Sequence, residues 1–127
     1  MTDVKTKILI VDDDPFLSGI YATKLDMDGF QVVTARDGEE GYKAAAKEKP
    51  DLILLDVLMP KLDGFETLKK LKDDPATHNI PVIMLTNLGQ KEDIEKGMQE
   101  GAVDYLIKAH FVPAEAEAKI KKVLNLE

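Results

Sequence analysis

Residues 50–64 read Pro50-Asp51-Leu52-Ile53-Leu54-Leu55-Asp56-Val57-Leu58-Met59-Pro60-Lys61-Leu62-Asp63-Gly64. Four consecutive apolar residues, Leu52 to Leu55, predict a strand covered on both faces, the pattern of a central strand in a parallel sheet. Asp56 ends that run abruptly. A carboxylate at the C-terminal end of a buried strand stands where open α/β sheets place their ligands. Pro60 and the Asp63-Gly64 turn pair keep the chain from entering a helix at once, so Asp56 is expected on a loop above the sheet. A lone Asp at such a place commonly does no more than close a strand by local hydrogen bonding, so its weight depends on what the rest of the chain sets beside it.

Upstream, Lys7 to Val11 is a β-rich apolar run that ends in Asp12, Asp13 and Asp14. Pro15 suits the first turn of a helix with Asp14 as its N-cap, and Leu17, Ile20, Tyr21 and Leu25 supply an apolar stripe as far as Asp28-Gly29. Phe30 to Ala35 predicts a second strand. Asp37-Gly38 then leads into a helix through Tyr42 and the alanines at 44–46, ending before Pro50. Downstream of Gly64, Phe65, Leu68 and Leu71 recur at helical spacing, and Asp74-Pro75 closes that element. Ile80 to Leu85 predicts a fourth strand, followed by Thr86 and Asn87. Lys91 to Glu100 predicts a short helix with Ile94 and Met98 on its buried face. Gly97 costs this helix about 1 kcal/mol relative to Ala, which makes it the least stable of the set, and Gly101 stops it. Val103 to Ile107, running into Lys108, is the fifth strand, and Pro113 opens a last helix with Ala116, Ile120 and Val123 inward. Five βα units in succession, with no linker or low-complexity segment, predict a single three-layer α/β domain over residues 1–127, its core about 6–126, built on a parallel sheet.

The 127 residues suffice for one domain with a real core. A content of 44% hydrophobic and 32% charged residues fits a soluble globular chain. No apolar run has the length of a membrane span, and Met1-Thr2-Asp3-Val4-Lys5 lacks the apolar core of a signal peptide, so export and membrane insertion are not expected. The absence of cysteine excludes disulfides, thiol catalysis and thiolate zinc sites, and agrees with a cytoplasmic location. A net charge of −7, with Arg36 as the sole arginine, argues against direct nucleic-acid binding.

Strands one, three, four and five each end in residues with chemical potential: Asp12 and Asp13, Asp56, Thr86, and Lys108. In a doubly wound sheet these ends share one edge, so residues far apart in sequence converge. Three clustered carboxylates repel one another unless a cation neutralises them. A hard divalent ion such as Mg²⁺, with Mn²⁺ as an alternative, suits that oxygen-rich place. With a fixed ammonium on Lys108 and a hydroxyl on Thr86, the parts needed to hold a transferring phosphoryl group are present, and Asp56 is the natural nucleophile, forming an acyl phosphate.

The Ile-Val-Asp-Asp turn at Asp12 and Asp13, the Asp56-to-Gly64 run, Met84-Leu85-Thr86, and Gly101-Ala102-Val103-Asp104-Tyr105-Leu106-Ile107-Lys108 together resemble a receiver domain of the two-component response-regulator family, in order and over essentially the whole chain. The resemblance implies a flavodoxin-like (βα)5 fold with strand order 2-1-3-4-5, similar to the chemotaxis response regulator. It implies that Asp56 is the phosphoacceptor and that Asp12, Asp13, Asp56 and the backbone carbonyl of Leu58 hold Mg²⁺. Thr86 and Lys108 contact the phosphoryl oxygens, and Tyr105 is the aromatic switch residue. The implied partners are a histidine kinase or histidine phosphotransfer protein and an unidentified downstream protein, met by the face of the fourth helix, fifth strand and last helix. Such a domain catalyses at most its own phosphorylation and dephosphorylation and is not a turnover enzyme. Asp14 is assigned to helix capping, and His78 and His110 to loops.

Two departures stand out. Lys108 precedes Ala109 where the family usually has Pro after a cis bond; a cis bond before Ala costs roughly 2.5–4 kcal/mol, so a trans bond or rearranged loop is expected. Asn87 replaces a smaller residue, and Leu58 and Leu88 flank the approach of a hydrolytic water that neither can orient. A long-lived phosphoryl state, shortened in Leu58→Asn, is the expectation. Two other functions compete. A haloacid-dehalogenase-type phosphatase carries its nucleophile on the first strand and needs a cap, whereas the isolated Asp56 lies on the third. A receiver-like module that is never phosphorylated would have lost Asp56, an acidic-pair residue or Lys108.

Overall fold

Every residue of Leu52–Asp56 is buried, and its apolar side chains divide alternately between two layers. Leu52 and Leu54 enter a cluster with Tyr21, Leu25, Ala116 and Ile120, while Ile53 and Leu55 enter one with Ala45, Leu68, Leu71 and Met84. A strand with apolar residues on both sides of the pleat has to lie inside a sheet covered on both faces. The structure, a computed structural model, describes residues 6–57, 63–86, 91–107 and 113–126.

Strands β1 (Lys7–Val11), β2 (Gln31–Ala35), β3 (Leu52–Asp56), β4 (Val82–Thr86) and β5 (Asp104–Ile107) form a parallel sheet in the order β2-β1-β3-β4-β5. Helices α1 (Pro15–Met27), α2 (Gly38–Glu48), α3 (Gly64–Asp73), α4 (Lys91–Gln99) and α5 (Pro113–Leu124) alternate with them. Helices α1 and α5 cover one face; α2, α3 and α4 cover the other. This is the expected doubly wound, flavodoxin-like arrangement. Among the described residues no helix is long and apolar enough to cross a membrane.

The structure shifts several local expectations. Helix α1 buries Ser18, Tyr21 and Leu25, leaving Leu17 and Ile20 half-buried. Asp14 fixes its first turn, Oδ1 accepting the amides of Phe16 at 3.0 Å and Leu17 at 3.3 Å, and positions 18, 21 and 25 then fall under the helix. Helix α4 buries Gly97, with Ile94 half-buried and Met98 42% exposed. The helix approaches the sheet on its glycine, where a Cβ would stand 3.1 Å from Met84 Cγ and 3.8 Å from Phe65, leaving room for little more than a methyl. Asp63 and Gly64 open α3 instead of preceding it: Asp63 is the N-cap, its Oδ1 accepting the Glu66 amide at 2.9 Å, and Gly64 is the first helical residue. Strand β4 begins at Val82, not Ile80, since Pro81 offers no amide to the ladder and Lys72 Nζ takes the Ile80 carbonyl at 2.9 Å. Strands β2 and β5 each begin one residue later than expected, at Gln31 and Asp104.

Candidate functional site

The register of the central strands builds the site. Val11 pairs with Leu55, and Asp56 pairs with Leu85, so the residues that follow β1 and those that end β4 flank Asp56 at one edge of the sheet. Asp56 is 3% exposed, and Asp12 and Thr86 are buried with it, whereas Asp13 faces solvent. One carboxylate oxygen from each of Asp12, Asp13 and Asp56 lies within 4.8 Å of the other two. Like charges that close favour a cation between them, and hard oxygen donors at this spacing suit Mg²⁺.

The backbone holds these groups in place. The Asp12 amide donates to the Ala35 carbonyl at 3.0 Å, and the Asp14 amide donates to Asp12 Oδ1 at 2.9 Å. On the other side the Val57 amide donates to the Leu85 carbonyl at 3.0 Å. Asp14 spends its carboxylate on the α1 cap, as expected, and lies outside the carboxylate group. Thr86 Oγ1 is buried and makes no hydrogen bond among the described residues. A buried hydroxyl without a partner is costly, and a ligand oxygen would satisfy it. Beneath the acidic edge, burial and then the charges of Asp12 and Glu115 push the Tyr21 hydroxyl up to about 12, so it remains neutral at physiological pH.

Tyr105, in register with Met84, is half-buried against the second apolar layer. Sequence reasoning missed what holds it. Lys119 Nζ stands 4.9 Å from the centroid of its ring, donates to its carbonyl at 2.8 Å and pairs with Asp104 Oδ1 at 3.1 Å. No local pattern links a lysine on α5 to the edge strand. His78 lies on the connection from α3 to β4, at the opposite sheet edge, with Nδ1 3.2 Å from the Pro75 carbonyl. Leu58, Asn87, Leu88, Lys108, Ala109 and His110 lie outside the described residues, and with them the expected Leu58 metal ligand, the Lys108 contact and the form of the Lys108–Ala109 bond.

Comparison with known proteins agrees with this architecture. The family model for the response regulator receiver domain matches residues 8–121. The chain is 44% identical over 119 residues to the DNA-binding dual master transcriptional regulator RpaA of Synechocystis, covering 94% of this chain and 49% of that protein. It is 43% identical over 119 residues to the alkaline phosphatase synthesis transcriptional regulatory protein PhoP of Bacillus subtilis, covering 94% and 48%. The chain thus spans about half the length of these relatives. Among solved structures, the Vibrio cholerae chemotaxis protein CheY4 superimposes with a TM-score of 0.88 at 32% identity, covering 94% of this chain and 99% of that one. The buried acidic edge, the 2-1-3-4-5 sheet and these matches agree: the chain belongs to the response regulator receiver domains of two-component signalling, a family of phosphorylation-activated switches and not of turnover enzymes.

Proposed function

We propose that this domain accepts a phosphoryl group on Asp56 from the phosphohistidine of a histidine kinase or phosphotransfer protein, in a reaction that needs Mg²⁺, and signals through the face of α4, β5 and α5. The observation that carries the reading is the juxtaposition at one sheet edge: a buried Asp56 between two further carboxylates within 4.8 Å and a buried Thr86 hydroxyl without a partner among the described residues. A carboxylate oxygen of Asp56 bonds to phosphorus as the donor's P–N bond breaks. The imidazole keeps that electron pair, and Asp56 carries the acyl phosphate.

Asp12, Asp13 and Asp56 would hold the ion, with the Leu58 carbonyl as a further ligand, and the ion supplies positive charge beside the phosphoryl oxygens. Thr86 Oγ1 donates to one phosphoryl oxygen. Lys108, which follows Ile107, the partner of Thr86 in the ladder, neutralises another. Tyr105 turns inward as Thr86 is drawn to the phosphate, and the exposed face of α4, β5 and α5 changes with it. Residues 1–127 act as a single cytoplasmic receiver unit, core about 6–126, that catalyses at most its own phosphorylation and dephosphorylation. The contact this domain itself makes downstream is with a protein, since its net charge of −7 disfavours direct contact with nucleic acid. Beside the acceptor edge, Phe16 is 73% exposed and continues along the outer side of α1 with Ile20, Thr23 and Met27, an apolar strip that a donor's helix meets as it presents phosphohistidine.

The test is amide NMR with Mg²⁺ and a beryllofluoride mimic. Shifts in α4, β5 and α5 of the wild type that are absent from Asp56→Asn support the reading; the same shifts in both proteins overturn it.

A further inference from the structure

We propose that Gly64 is a positioning residue for the acceptor: the first turn of α3 bears directly on the Asp56–Val57 peptide, and only a residue without a side chain permits that seat. A Cβ built on Gly64 would lie 2.2 Å from the Asp56 carbonyl oxygen, 2.7 Å from Val57 Cα and 3.0 Å from the Asp56 carbonyl carbon. These are backbone atoms and cannot swing aside as a side chain can. Backbone conformation is not the reason for the glycine: among the described residues the glycines with positive φ are Gly29 and Gly101. Space alone selects it. The Gly64 amide closes the contact by donating to the Val57 carbonyl at 2.8 Å, while the Val57 amide donates to Leu85 at 3.0 Å on the other side.

The peptide of the acceptor is thus clamped between β4 and α3. The clamp is stiff, because Asp63 Oδ1 accepts the Glu66 amide at 2.9 Å and the Asp63 carbonyl accepts Thr67 Oγ1 at 2.8 Å. Where α3 sits therefore sets where the Asp56 carboxylate stands relative to Asp12 and Asp13, and small displacements of a reacting group are costly. At Gly41, by contrast, the atoms nearest a Cβ belong to the Val11 side chain, its methyls at 2.7 and 2.8 Å, which is a matter of packing.

The inference rests on the reading that Asp56 is the acceptor, and the experiment keeps the two apart. Gly64→Ala is compared with Leu68→Ala, a core truncation on the same helix, at a temperature where both are folded. Mg²⁺ affinity is measured by calorimetry without any phosphoryl donor, then the maximal rate with acetyl phosphate. The expected result is that Leu68→Ala lowers the thermal midpoint yet keeps wild-type Mg²⁺ affinity. Gly64→Ala loses about tenfold or more in affinity, and its maximal rate falls more than its half-saturating acetyl phosphate concentration rises. Wild-type affinity in Gly64→Ala, or losses in both variants that simply follow their stability, overturns the proposal. Should Gly64→Ala not fold, Asp63→Ala loosens the α3 cap and leaves the glycine; weakened Mg²⁺ affinity there supports the clamp and unchanged affinity overturns it. A wild type that takes no phosphoryl group sinks the reading of Asp56, while the metal-affinity arm still decides Gly64.

Discussion

Gly97 of α4 rests on Met84 of β4 so closely that a Cβ would stand 3.1 Å from Met84 Cγ, two residues before Thr86. Beside it Lys96 Nζ lies 4.4 Å from the centroid of the Phe65 ring. A helix held by a glycine contact and a cation–π pair, with no other residue of its own buried, belongs to the low-stability end of the fold, where a ligand shifts an equilibrium most easily. Gly97→Ala is expected to change global stability by no more than about 1 kcal/mol, since the gain in helix propensity offsets a small shift of the flexible Met84. Gly97→Leu overfills the contact and costs about 1–3 kcal/mol, part of it recovered by adding Met84→Ala. Urea unfolding measures all three; a Gly97→Leu variant as stable as the wild type would show that α4 does not seat this way.

The carboxylate group is expected to oppose folding when metal-free and to favour it when loaded. Asp13→Asn, which removes one exposed charge, is expected to leave the metal-free thermal midpoint unchanged or raised, because like-charge repulsion falls. Mg²⁺ at a hundred times its dissociation constant stabilises the wild type by about 2.7 kcal/mol. Asp12→Asn and Asp13→Asn should lose most of that gain, and chelation should remove it from the wild type. Equal Mg²⁺-induced shifts in all three proteins would count against a metal held by these residues.

If a donor docks on the α1 strip as proposed, recognition and chemistry are expected to separate there. Phe16→Asp is expected to slow phosphorylation by a cognate phosphohistidine protein by about tenfold or more, the effect of losing one aromatic anchor worth roughly 2 kcal/mol. Transfer from acetyl phosphate should be unchanged, since Phe16 is 73% exposed on α1 with Ile20 and Met27. A parallel loss with both donors would place Phe16 in the acceptor site itself.

Tyr21 sets an alkaline limit. Its hydroxyl is raised from an ordinary 10.0 to about 12 in the folded protein, first by burial and then by Asp12 and Glu115. The unfolded hydroxyl therefore ionises first. Its contribution to stability is complete below pH 10 and is lost as the pH rises from about 10 to 12. Urea midpoints of Tyr21→Phe should fall less steeply than wild type across that window, and parallel slopes would refute the assignment.

Much of the fold could be read from the chain because its signals are local. The unbroken run Leu52 to Leu55, bounded by Pro50 and Asp56, reads as a doubly covered strand, and Asp14-Pro15 is a capping pair that needs no tertiary information. The convergence of Asp12, Asp13, Asp56 and Thr86 followed from parallel topology alone. What escaped is what depends on close approach. Gly64 looks like a turn residue and is a spacer against a backbone; Gly97 looks like a helix defect and is the residue on which α4 lands. The exposed Met98 and the buried Ser18 reverse their hydropathy for the same reason: helix rotation is set by caps and by the volume beneath, neither of which is written in periodicity.

Asp56 as the residue that takes the phosphoryl group is open to a direct mass measurement. Wild type and Asp56→Asn are each incubated with Mg²⁺ and acetyl phosphate and their intact masses compared. The wild type should gain the mass of one phosphoryl group, lost on alkaline treatment as an acyl phosphate is, and only when Mg²⁺ is present, while Asp56→Asn gains nothing. A wild type that gains no mass, or an Asp56→Asn variant modified to the same extent, would contradict it.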